Sequence, residues 1–166
     1  MKTQSDNIVE VILARAAVEP EHAAFVGRDG EITFGCLAAE VRRWASVIAG
    51  LPGLPDQGVP RIGVRCPGGV LHAVLMLAVM KAGGCAVPVA GELPGPERST
   101  LAGATALHGI LSWRAEDWAS DLLERRDLGG GVWWERLPPT RPCFPVEAFE
   151  KMQPAFVRFS SGTTGR

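Results

Sequence analysis

Between Arg61 and Ala90 the chain reads RIGVRCPGGVLHAVLMLAVMKAGGCAVPVA, and this stretch narrows the possible folds more than any other. From Val70 to Met80 only His72 breaks an apolar run. Its spacing predicts a helix from Val70 to about Ala82, apolar on most faces, and a helix of that kind has to be packed between layers rather than laid on a surface. At about eleven residues the run is too short to cross a bilayer, which takes about 20. Arg61 to Cys66 reads as a short strand stopped by Pro67-Gly68-Gly69, and Lys81 with Gly83-Gly84 closes the helix before a second strand, CAVPVA. A strand, a buried helix and a returning strand make a parallel sheet unit.

The flanking sequence extends this unit. EITFGCLAAEVRRWASVIAG places Leu37, Val41, Trp44, Ala45 and Ile48 on one helical stripe, with Thr33 as its cap and Gly50 and a Pro/Gly stretch as its end. LPGPERSTLAGATAL predicts another helix, prolines at its front, and HGILSW a further strand. RAEDWASDLLERRD has helical character, with Trp118, Leu122 and Leu123 opposite the charges and ERRD as a solvated end. The expected class is a layered α/β fold whose sheet is largely parallel and flanked by helices. Residues 137–154 contain five prolines and are expected to be a connector without ladders, leading into a strand AFVRFS.

Composition excludes some functions. With 17 basic and 18 acidic residues the formal charge is −1, so no basic excess draws the chain to nucleic acid or anionic lipid. The N-terminus lacks the features of a secretory signal, and the expected compartment is the cytoplasm. Cys36, Cys66, Cys85 and Cys143 follow no C-x-x-C pattern and read as buried, reduced thiols; His22, His72 and His108 are equally scattered, so no metal site is expected. The tryptophans at 113, 118, 133 and 134 read as core rather than as a stacking site for a base.

After the strand AFVRFS the sequence continues as SSGTTGR. Ser160, Ser161, Thr163 and Thr164 offer four hydroxyls, while Gly162 and Gly165 permit backbone angles that turn successive N–H groups toward one point, a concavity suited to phosphate. Taken alone, such a hexamer is more often a solvent-facing turn. In context it resembles the phosphate loop of the adenylate-forming superfamily: acyl-CoA synthetases, adenylation domains of nonribosomal peptide synthetases, and luciferases. Three upstream stretches carry the same resemblance, in the same order: ITFGCL before a helix, RIGVRCPGG, and MLAVMKAGGCAVPVAGELPGPE. Residues 10–112 and 155–166 are covered by it; 113–154 match only in position.

The resemblance implies activation of a carboxylic or amino acid with ATP and Mg²⁺, release of pyrophosphate, and transfer of the acyl group to coenzyme A or a carrier-protein pantetheine. It implies that Ser160, Ser161, Gly162, Thr163, Thr164 and Gly165 hold the β- and γ-phosphates, with Arg166 at the variable place after the loop. The loop's lysine, the adenine-binding aromatic, the Mg²⁺-binding glutamate, the ribose-binding aspartate and the catalytic lysine belong to motifs beyond residue 166. Residues 1–166 are therefore expected to be the N-terminal part of an AMP-binding domain, cut at its phosphate loop and inactive alone. The alternatives are an assembly partner that complements a separately encoded remainder, and an unrelated α/β protein that binds a phosphorylated small molecule. Arg158, in a strand that the family keeps apolar, is expected at an edge or surface.

Overall fold

The structure is a computed structural model, and it describes residues 7–27, 30–114 and 122–158. It opens with helix α1 (Ile8–Val18), whose first turn is capped by Asn7 accepting from the Val9 amide at 3.0 Å. An antiparallel hairpin of β1 (Ala23–Gly27) and β2 (Gly30–Thr33) runs directly into helix α2 (Phe34–Ala49). Thr33 is the predicted cap: its hydroxyl accepts from the Cys36 amide at 3.3 Å. The α2 stripe expected from the sequence is the buried one, joined by Ala38.

Strand β3 (Arg61–Arg65), helix α3 (Val70–Lys81), strand β4 (Cys85–Pro88), helix α4 (Gly95–Thr105) and strand β5 (Gly109–Trp113) come next, as the sequence predicts. Strands β6 (Glu124–Asp127) and β7 (Val132–Arg136) and the short helix α5 (Val146–Met152) complete the described elements. The sheet order is β4-β3-β5-β7-β6. β3 pairs in parallel with both β4 and β5, and β7 pairs antiparallel with β5 and β6. Residues 155–157 add a parallel bridge on the outer side of β4, with the Ala86 and Val157 amides donating to the Ala155 and Ala86 carbonyls, each at 3.0 Å. The class is the layered α/β fold expected, its parallel half built from that bridge, β4, β3 and β5.

Alternation along the strands divides the core. Ile62, Val64, Ala86, Leu111, Val132 and Trp134 face α1, α2 and α3 in one apolar cluster, while Val87, Val89, Ile110, Leu107 and Leu137 form a second cluster with Leu101 and Ala102 of α4. Helix α3 packs against α2 and against β3 and β4, which is the burial its apolar faces demand. Glycine makes room for this packing at Gly109, where a Cβ would come within 2.3 Å of the Trp134 ring.

Several expectations are corrected. The helix read over RAEDWASDLLERRD does not extend over ERRD: residues 124–127 are strand β6, antiparallel to β7. Pairing outweighs the amphipathic pattern because Arg125 then reaches the fully buried Glu135 on β7, donating from Nε at 3.2 Å and from Nη2 at 2.8 Å. Ser112 of β5 donates to the other carboxylate oxygen at 2.6 Å, so both carboxylate oxygens accept hydrogen bonds. Trp118 and residues 115–121 lie outside the described residues. The proline-rich segment contains no ladder strand, but it does contain α5, which starts immediately after Pro145. Cys66 and Cys85 are buried, whereas Cys36 and Cys143 are exposed, one on the first turn of α2 and the other in the proline-rich segment. Trp134 is core as expected, and Trp113 and Trp133 are half-buried.

Candidate functional site

The carboxyl ends of β3, β4 and β5 open onto a cleft of about 1430 Å³. Its position is set by the topology. From β3 the chain crosses through α3 to β4 on one side, then through α4 to β5 on the other, and a crevice forms where neighbouring connections diverge at the carboxyl edge. Arg65 and Cys66 line it from the end of β3, Pro88 and Val89 from β4, and Trp113 and Arg114 from β5. Helix α3 contributes His72, and Arg158, directly beyond the 155–157 bridge, lines the same cleft.

Local chemistry fixes these walls. The Arg65 side chain is buried and donates to the Gly91 carbonyl at 3.0 Å, tying the end of β3 to the loop after β4. Arg114 holds a left-handed backbone at φ +67°, and its N–H donates to the Gly131 carbonyl at 2.9 Å. A bulky residue in that region carries strain, so the β7 side must hold it there. Cys66 Sγ lies 3.6 Å from His72 Nδ1. Burial pushes the thiol up to about 11 and lowers the imidazole below its ordinary value, so the pair is neutral near pH 7 and supplies no thiolate nucleophile.

A second polar cluster sits at the opposite end of the sheet. The Arg61 amide donates to His108 Nδ1 at 2.9 Å and its Nε donates to the Ala106 carbonyl at 3.0 Å. Its guanidinium lies 5.8 Å from the Phe144 ring and 5.6 Å from the Phe149 ring. Glu150 of α5 accepts from the Val59 amide at 2.8 Å, with its other oxygen 3.8 Å from Arg61 Nη1. Burial, and then the Arg61 charge, push His108 down to about 4. No group of three His, Cys, Asp or Glu side chains that could hold a metal occurs among the described residues.

The loop residues expected to bind phosphate, Ser160, Ser161, Gly162, Thr163, Thr164 and Gly165, lie outside the described residues, as does Arg166. Arg158 precedes Ser160 by two positions and is exposed, as expected. The cleft residues Arg65, His72 and Arg114 went unrecognised in the sequence. The signal for them was present, since Arg65 and Arg114 lie at the carboxyl ends of strands that the sequence did predict, and His72 lies on the first turn of the predicted helix after β3.

A parallel α/β sheet with a roomy, arginine-bearing cleft at its carboxyl edge is the architecture of proteins that bind nucleotides and other small anionic ligands. The comparisons specify the class further. A family described as AMP-binding enzyme matches residues 12–166, and the chain belongs to that family, within the adenylate-forming superfamily. Similar curated proteins include the nonribosomal peptide synthetase gloA of Glarea lozoyensis, 30% identical over 95% of this chain and 2% of the relative. Another is the malformin synthetase mlfA of Aspergillus kawachii, 32% identical over 95% of this chain and 3% of the relative. The chain thus spans only a small fraction of the curated relatives it matches. Among solved structures, IdnL1 shares the fold over 93% of this chain and 31% of its own, with a TM-score of 0.69 and 23% identity. The N-terminal domain of FACL13 from Mycobacterium tuberculosis matches over 63% of this chain and 26% of its own, with a TM-score of 0.56 and 26% identity.

Proposed function

We propose that this chain is the N-terminal part of an ATP-dependent, AMP-forming carboxylate ligase, and that Ser160 to Gly165 are its phosphate loop. The observation that carries this reading is the position of Arg158. It lines the cleft at the carboxyl edge, and the Ser/Thr/Gly hexamer begins two residues later in a segment covered by the family match. The described residues support a nucleotide: the cleft is large enough, and Arg114 and Arg158 bring positive charge to it, with Glu92 and Glu97 in the same lining. In this reading the loop's backbone N–H groups and hydroxyls hold the β- and γ-phosphates, stabilising charge that builds on the departing pyrophosphate, with Mg²⁺ sharing it.

The carboxylic or amino acid, and the coenzyme A or pantetheine thiol that receives it, are recognised by residues beyond position 166 in this proposal. These 166 residues alone are then inactive. Two measurements test it. Titration calorimetry with MgATP should detect weak binding that Thr163→Ala and Thr164→Ala together abolish, and substrate-dependent exchange of pyrophosphate into ATP should be absent. Binding that survives both substitutions would remove the loop assignment; exchange by the chain alone would remove the fragment reading.

A second reading, an assembly partner that complements a separately encoded remainder, is favoured by the exposure of Met152 at 73% and Phe156 at 55% beside the outermost bridge of the sheet. Sedimentation of the purified chain tests it. Self-association or aggregation supports a face that needs covering, and a monodisperse monomer argues against it.

A further inference from the structure

Helix α5 has seven residues and none of them is buried. So short a helix does not persist on its own, and its described attachments converge on one place. Glu150 binds the Val59 amide and faces Arg61, while Phe149 and its neighbour Phe144, with ring centroids 4.8 Å apart, both lie on one side of the Arg61 guanidinium. The Arg61 side chain is in turn fixed by the Ala106 carbonyl. This cluster clamps α5 to the amino end of strand β3.

From α5 the chain passes directly into the bridged segment 155–157. Gln153 is held at φ +47° and Pro154 has a ring-fixed φ, so the direction of the helix passes into residues 155–157 through two stiff positions. Along that segment the described ladder with β4 consists of the two hydrogen bonds at Ala86, which set register weakly. Arg158 then enters the cleft at the other end of the sheet.

We propose that Arg61 and Glu150 are positioning residues: their pairing at the amino end of β3 sets the placement of the bridged segment 155–157. Through it they govern what Arg158 presents to a phosphate-bearing ligand at the carboxyl end. The ligand half of this inference rests on the function proposed above; the positioning half does not. Gly58 supplies an independent handle, because its φ is +89° and an added Cβ would come within 2.9 Å of a Glu150 carboxylate oxygen.

The test is amide hydrogen exchange on the full 166-residue chain, comparing wild type with Glu150→Ala, Glu150→Gln and Gly58→Ala. Protection at the Ala86 and Val157 amides should fall at least about tenfold in Glu150→Ala, while amides of β5 and β7 stay within about twofold. Glu150→Gln, which retains an acceptor for Val59, should fall between. If Glu150→Ala fails to fold, Gly58→Ala gives the same readout without removing a charge. Unchanged protection at Ala86 and Val157, or an equal loss in β5 and β7, would overturn the positioning role. MgATP affinity measured on the same proteins separates the two halves. A wild type that shows the exchange pattern but binds no nucleotide overturns only the ligand half.

Discussion

At the scale of single residues, the structure turns on a few side chains whose surroundings leave no alternative. Gly109 lies where the Trp134 ring crosses β5, so Gly109→Ala drives a methyl into an aromatic that has no room to move. Overpacking of this kind costs about 1–3 kcal/mol, and the midpoint of urea unfolding should fall accordingly with an unchanged slope. Glu135 is the converse case, a fully buried carboxylate held by Ser112 and Arg125. Glu135→Ala strips both donors of their acceptor, a loss of about 2–3 kcal/mol for charge-assisted bonds, read in the same denaturant titration. The cysteines divide by burial. Cys36 and Cys143 should react quickly with an aromatic disulfide reagent at pH 7, and Cys66 and Cys85, both with thiols pushed up to about 11, should react only on unfolding. None of these distinctions was legible in spacing alone: a cysteine in a helical stretch carries no mark of which way it faces until the helix is packed.

At the scale of elements, local pattern and tertiary pairing agree where a segment contacts its own neighbours and part where it does not. Thr33 is legible as the α2 cap in the sequence and caps it in the structure, because a cap is settled within four residues. Removing it as Thr33→Ala should cost about 1 kcal/mol, measured as a fall in the unfolding midpoint. Helix α3 is equally legible, since apolarity on most faces leaves it nowhere to go but between layers. Strand β6 reads in sequence as a helix end. Its charges fit an exposed helical face as well as an edge strand, and only Glu135 on β7 decides between them. The hairpin β1–β2, strand β7 and helix α1 carry no clear sequence signal either, being short and stabilised by what they pack on.

At the scale of the whole molecule, acid should loosen the structure from the amino end of the sheet. His108, whose ordinary value is 6.5, is held down to about 4 by burial and the neighbouring Arg61, and His72 is lowered in the same direction. The unfolded chain therefore binds more protons between pH 6.5 and 4, and stability that is fully present above pH 6.5 is lost as the pH falls through that window. Urea midpoints from about pH 7.5 to 4 should show this decline, and His108→Asn should flatten part of it. What the sequence determined by itself was the layered α/β class, the order of its parallel units, the α2 and α3 core faces and membership of the adenylate-forming family. These rest on periodicity, caps and short motifs, each of which is complete within a few consecutive residues. The antiparallel extension through β7 and β6, the clamp between Arg61 and Glu150, and the cleft walls at Arg65, His72 and Arg114 were decided only by the tertiary structure. Each joins groups from segments distant in the chain, and such a meeting costs loop-closure entropy that only the collapsed core can offset.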